Sequence, residues 1–239
     1  MLNEFKKYVN NFYTGDSDSG ISLKYAHSLR VQKIMEDMAI SFNFSKEQIE
    51  IAKVIGLLHD YGRFYQWKTY NTFYDNKSVD HADYGVELLF ENGDITKYYI
   101  NKKNYNTIKT AILHHNKYNS PKDTYSKMIR DADKLDIMYL FSLNETYNEK
   151  EEISKEVIED FNNKKLINDK HKKTETDVIV KIFAYVFDLN YTFSFKYLKE
   201  NYIIENIYKK IKDKEKFKYY FDKINEYIND KIKEMDYVR

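Results

Sequence analysis

A single proline, Pro121, and six glycines are all that punctuate 239 residues, so this chain has few places at which a helix must stop. Apolar residues recur at helical spacing nearly throughout, and alternating strand patterns are scarce. The expected fold class is therefore all-α. The loop Gly15–Gly20 supplies cap-forming residues ahead of a helix from about Leu23 to Ser41, with Ala26, Leu29, Ile34 and Met38 as its apolar stripe. Ser45, with Gln48 three residues on, has the form of a capping box opening a second helix to about Tyr61. Its end, Val54, Ile55, Leu57 and Leu58, is apolar around most of its circumference, which marks a buried helix. From Gly62 to Val79 the chain reads as a long polar and aromatic loop holding the only tryptophan, Trp67. Asp80 then caps a helix to about Glu91, with Gly93 as terminator. More helices are expected near 106–117, 125–143 and 150–163, with two or three further ones after Glu175. No linker rich in Gly, Pro or Ser appears, so one all-α domain over 1–239 is the simplest organisation, its last third a packed extension.

Composition narrows the function classes. Hydrophobic residues make up 42%, enough for a sizeable core and too many for a disordered chain. The 39 basic and 38 acidic residues nearly cancel, which argues against bulk electrostatic capture of nucleic acid. There is no cysteine, so any metal must be held by imidazoles and carboxylates. Met1–Tyr13 carries no long apolar run of a secretory signal, and Ile51–Leu58 is too short to span a bilayer. The expectation is a cytoplasmic protein without membrane attachment, oligomerisation being left open.

The chemistry gathers around histidines. Four of the six sit beside carboxylates or one another: His59-Asp60, His81 within Asp80-His81-Ala82-Asp83, and His114-His115; His27 precedes them and Asp131-Ala132-Asp133 follows. Taken singly, a buried histidine is more often a hydrogen-bonded core residue than a ligand. In series, on or at the ends of helices, they fit a shared metal centre into which facing helices each project a ligand. Imidazole with carboxylate suits Mn, Fe, Co, Ni or Zn better than an all-oxygen Ca or Mg site, although Mg is admitted. Six candidates suggest two ions with an aspartate between them. Asp131 and Asp133 lie about 200° apart on a helix, so both cannot readily face one centre; Asp136 shares the Asp133 face as a reserve. His114 and His115 are about 100° apart, so one can ligate while the other meets substrate or supports the site. Arg63, three residues after Asp60, is a candidate for phosphate, with Lys117 and Lys134 as weaker ones. The aromatic run Phe64, Tyr65, Trp67 and Tyr70 either stacks on a base or packs the loop, packing being favoured slightly.

The ordered series His27, His59-Asp60, His114-His115, Asp133 resembles the HD superfamily of metal-dependent phosphohydrolases. Ala26-His27-Ser28-Leu29-Arg30-Val31 looks like the family's first-histidine helix, Gly56-Leu57-Leu58-His59-Asp60-Tyr61-Gly62-Arg63 like its signature pair, and Asp131-Ala132-Asp133-Lys134-Leu135-Asp136 like its final segment. The resemblance covers roughly residues 20–145, leaving about 150–239 as a helical extension, as in stand-alone bacterial HD-domain proteins. It implies that His27, His59, Asp60 and Asp133 hold a first ion. With His81 and His114 added, as in the two-metal subset, it implies that Asp60, His81 and His114 hold a second, bridged through Asp60. His81-Ala82-Asp83-Tyr84-Gly85 also resembles a helix of cyclic-dinucleotide phosphodiesterases, but Asn116-Lys117-Tyr118-Asn119 stands where a Gly-Tyr-Pro motif is expected, which counts against cyclic di-GMP.

The function implied is hydrolysis of a phosphomonoester or phosphodiester of a nucleotide or other small phosphorylated metabolite, by a water activated at one or two divalent metals. Asp60, Arg63 and His115 are the catalytic candidates. Two other classes share the pattern: a mixed-valent di-iron oxygenase of HD type, and a non-catalytic nucleotide-binding regulatory module.

Overall fold

Helices account for the regular structure of the described residues, and no strand occurs among them. The computed structural model describes residues 1–13, 15, 18–118 and 123–236. Asp16 and Ser17 of the expected capping loop, and Asn119 and Pro121, lie outside those residues. The chain divides into two compact units, Met1–Ala132 and Asp133–Arg239.

The first unit is built on α1 (Leu2–Asn10), α2 (Ser19–Ser41), α3 (Lys46–Leu58), α4 (Arg63–Tyr70), α5 (His81–Val86), α6 (Tyr105–His114) and α7 (Thr124–Ser142) as far as Ala132. Its centre is the α2–α3 pair, where Val31, Met35 and Met38 meet a helix whose Ala52, Val54, Ile55, Leu57 and Leu58 are wholly buried. Each such aliphatic side chain contributes about 1.5–3 kcal/mol of burial. The two helices approach closely because α3 offers Gly56: a Cβ there would stand 2.8 Å from the Gln32 Cα. The buried face of α2 runs through Ile21, His27, Ser28, Val31, Ile34, Met35 and Met38, so Ile34 and Met38 of the expected stripe are buried while Ala26 and Leu29 are half-buried. The capping box of α3 is present, with Ser45 N donating to Gln48 Oε1 (2.9 Å) and Gln48 N to Ser45 Oγ (3.4 Å).

α3 ends at Leu58 and not near Tyr61, and the segment expected as a loop from Gly62 carries α4. Both differences have one cause. His59–Gly62 form a turn in which Arg63 N donates to Asp60 O and Gln66 N to Gly62 O, so the chain re-enters a helix at once. That helix turns Phe64 and Gln66 inward, and its aromatic surface masked the short apolar pattern. Asn71, at φ +50°, stops it. The aromatic run packs: Phe64 is buried against Phe5, and Trp67 stacks on Phe73 with centroids 4.6 Å apart. Asp80 caps α5 as expected, its Oδ1 accepting from Ala82 N (3.0 Å) and Asp83 N (3.2 Å). A π-helical turn, Glu87–Glu91, continues it, and Gly93 follows at φ +83°.

The second unit holds the rest of α7 and then α8 (Lys155–Asn162), α9 (Glu175–Ala184), α10 (Thr192–Glu200), α11 (Ile203–Lys210) and α12 (Lys214–Asp236). Val157 and Phe161 of α8, Ile179 and Phe183 of α9, Phe195 and Leu198 of α10, and Ile224 and Ile228 of α12 are buried. α8 begins later than the sequence suggested. Ser154 precedes it, donating through N and Oγ to Asp177, which also takes Lys173 N and Thr174 N. No helix of the described residues is long and apolar enough to cross a membrane.

Candidate metal centre

Four elements of the first unit each bring one imidazole to the same carboxylate. Asp60 sits in the turn after α3, 2% exposed. Its Oδ2 lies 3.4 Å from His27 Nε2 on α2 and 3.5 Å from His59 Nε2 at the end of α3. Its Oδ1 lies 3.3 Å from His81 Nε2, at the start of α5, and 3.7 Å from His115 Nε2, at the end of α6. The nitrogens also face one another, His27 to His59 at 3.2 Å and His81 to His115 at 3.0 Å. All four histidines are buried.

Backbone fit sets these positions. Gly56 lets α2 and α3 close on each other, which brings His27 beside His59. Gly62 does the same for His81: a Cβ on it would stand 2.3 Å from the His81 carbonyl oxygen and 2.9 Å from Gly85 N. The end of α6 is fixed by the buried Arg130 of α7, whose NH1 donates to the carbonyls of His114 (3.3 Å), His115 (3.1 Å) and Lys117.

Proton positions can be assigned from partners. His59 Nδ1 donates to Gly56 O (2.8 Å), His115 Nδ1 to Ile112 O (2.7 Å), and His81 Nδ1 to Asp75 (2.8 Å to Oδ2). A carbonyl or carboxylate only accepts, so each neutral ring keeps its proton on Nδ1 and presents a bare lone pair at Nε2. His81 and His115 then face each other at 3.0 Å with no proton between them, and both face an acceptor-only carboxylate. Such an arrangement repels itself unless a cation lies among the donors. Ligands held about 2.0–2.2 Å from a metal stand roughly 3–3.5 Å from one another, which is the spacing of this set. His59, Asp60 and His115 also offer one donor atom each, all within 4.8 Å of one another. The residues fit one or two divalent cations.

The charges agree. Burial works to raise the Asp60 carboxyl, but Lys24, His59 and the other imidazoles outweigh it and hold it well below the usual carboxylate range. Burial lowers His81 to about 4, helped by the Arg63 guanidinium, so its imidazole is neutral near pH 7.

Of the sequence candidates, His27, His59, Asp60, His81 and His115 converge. His114 does not join them: it is half-buried, and its Nδ1 turns back to Thr110 O (2.9 Å). The two neighbours thus exchange their expected places. Asp133 is half-buried on α7, one residue beyond Ala132, between the buried Asp131 and Asp136. Arg63 is a strut more than a free hand, with NH1 donating to Gln66 Oε1 (2.6 Å), Phe73 O (2.7 Å) and Asp75 Oδ1 (2.8 Å). Its Nε, 3.6 Å from Asp60 Oδ1, is buried without a hydrogen bond. Lys117 pairs with Asp80 (2.6 Å) and Asp83 (2.9 Å), and Lys134, in the second unit, with Asp188 (2.7 Å).

Sequence reasoning missed Lys24, whose Nζ is 2.7 Å from Asp60 Oδ2, and Asp75. Lys24 was findable, since it stands three residues before His27 and shares its helix face. Asp75 lies in a short turn and carries no periodic signal.

The family model described as HD domain matches residues 25–138. No curated protein matches the chain, and no solved structure does. HD domains bind divalent metals and form a superfamily of metal-dependent hydrolase type, whose members are mostly phosphohydrolases. The match over 25–138, the segment that carries His27, His59-Asp60, His81 and His115, supports membership of the HD superfamily.

Proposed function

We propose that the chain is a two-metal phosphohydrolase acting on a phosphomonoester or phosphodiester of a nucleotide or small phosphorylated metabolite. The observation that carries it is the division of Asp60: Oδ2 faces the His27–His59 pair and Oδ1 the His81–His115 pair. A carboxylate so placed could serve two ions at once, and the match to the HD domain model points to the reaction type. His27, His59 and Asp60 would hold the first ion, with Asp133 assigned from its Asp131-Ala132-Asp133 segment. Asp60, His81 and His115 would hold the second, His115 replacing His114 on geometric grounds. Bound there, divalent ions lower the pKa of water and neutralise charge developing on phosphoryl oxygens.

The chain's own residues prepare the site. Lys24 keeps Asp60 ionised before ions arrive, and the imidazoles lean on fixed partners that leave Nε2 bare. Arg63 holds the loop through Phe73 and Asp75.

The test is a panel of p-nitrophenyl phosphate, bis-p-nitrophenyl phosphate and nucleotides, each with Mn, Ni, Co, Mg, Fe and Zn, run beside metal analysis. Metal-dependent phosphate or nitrophenol release is expected, and Asp60→Ala should lose both ions and all turnover. Full activity of Asp60→Ala with an empty site would sink the reading. Iron-dependent oxygen consumption without phosphate release would assign the same ligands to an oxygenase.

A further inference from the structure

We propose that Asp75 is a positioning residue that sets the affinity of the second metal subsite. The inference rests on the two-ion reading above. Three of the converging imidazoles, His59, His81 and His115, are not held alike at Nδ1. His59 and His115 lean on backbone carbonyls, Gly56 O and Ile112 O. His81 leans on a carboxylate, with Nδ1 at 2.9 Å and 2.8 Å from the two oxygens of Asp75. A carboxylate partner fixes the tautomer more firmly than a carbonyl does and makes the opposite nitrogen a better donor to a metal. The Oδ1 half of the site therefore contains a ligand tuned by a full charge.

Asp75 can do this because it is held on several sides. Oδ1 accepts from Arg63 NH1 (2.8 Å) and Gln66 Nε2 (2.8 Å), and Oδ2 from Asn116 Nδ2 (3.3 Å). Gln66 is fully buried and spends its amide on this loop, taking Arg63 NH1 and giving Nε2 also to Ser78 Oγ (2.8 Å) and Val79 O (2.9 Å). Asn116 follows His115, so Asp75 ties the loop of residues 71–80 to both histidines of that half. Arg63, expected to grip phosphate, is thereby a brace for Asp75.

The experiment titrates Co(II) and Mn(II) into the metal-free chain by calorimetry, with Co(II) absorption read alongside. The variants are Asp75→Ala, Asp75→Asn and Ser78→Ala. The wild type should take two ions. Asp75→Ala should bind the first as the wild type does and the second about 100-fold more weakly, with Asp75→Asn about tenfold weaker, in the range expected for loss of a ligand's supporting partner. Ser78→Ala, which loosens the same loop and leaves Asp75 on His81, should match the wild type. In the metal-free proteins, nitrogen NMR should show His81 protonated at Nδ1 in the wild type and as a mixture of tautomers in Asp75→Ala. Unchanged second-ion affinity in both Asp75 variants overturns the inference, and so does equal weakening of both ions or an unchanged tautomer. A wild type that binds fewer than two ions overturns the two-ion reading instead, and the tautomer measurement still decides whether Asp75 positions His81.

Discussion

Two adjacent histidines at the end of α6 test the site residue by residue. His114 and His115 differ by about 100° around the helix, enough to send one ring to Asp60 and the other to its own helix carbonyl. His115→Ala should therefore cost the second ion while the first remains, and His114→Ala should leave both in place, as read by metal content after gel filtration. Equal loss in the two variants would count against the assignment. The spacing in sequence pointed to different roles for the two, and the choice between them was not legible. It depends on where α6 ends and how Arg130 seizes its last carbonyls, which are tertiary facts. Asp75 escaped for a related reason, acting through His81 across six positions of chain, whereas Lys24 was within reach because it shares the His27 helix face.

At the scale of elements, what was legible had a local cause. The Ser45–Gln48 capping box and the Asp80 cap were readable because side chain and partner lie within three residues. α4 was not, because a helix of eight residues gives scarcely two turns of pattern and four of its side chains are aromatic. The turn between α3 and α4 is what places Asp60, and it closes on α5 through Gly62. Gly62→Ala would set a methyl 2.3 Å from the His81 carbonyl and 2.9 Å from Gly85 N, both backbone atoms that cannot swing aside. The turn and α5 must then part. The expected cost is about 1–3 kcal/mol of stability from overpacking, with weaker uptake of the second ion because His81 moves from Asp60. Urea unfolding beside metal titration checks both, and a variant with unchanged stability and two tight ions would show that the contact has slack.

For the molecule as a whole, the centre couples folding to pH. His81 sits at about 4 in the folded chain, against roughly 6.5 when unfolded. Above 6.5 the ring is neutral in both states and contributes no slope. Between 6.5 and 4 the unfolded chain takes up a proton that the folded chain refuses, so stability falls as pH drops through that window. The full effect is on the order of 3 kcal/mol. Asp60 and Asp75, both held below the ordinary carboxylate range, add losses only at lower pH, as acid begins to protonate carboxylates in the unfolded chain. Trp67, the only tryptophan, stands on α4 in the same unit, so its fluorescence follows the unit that carries Asp60 and its four imidazoles. The metal-free chain should unfold at lower urea at pH 5 than at pH 7.5, and His81→Gln should flatten that difference. Saturating metal at pH 7.5 should raise the midpoint further, the fold gaining about 2.7 kcal/mol per ion at a hundredfold excess over Kd, since ions bind the folded chain. That increment should shrink toward pH 5, because the ligating nitrogens must be unprotonated. A metal-free midpoint that is the same at both pH values would mean that burial does not hold His81 neutral, and the bare Nε2 lone pairs on which the metal centre is argued would lose their basis.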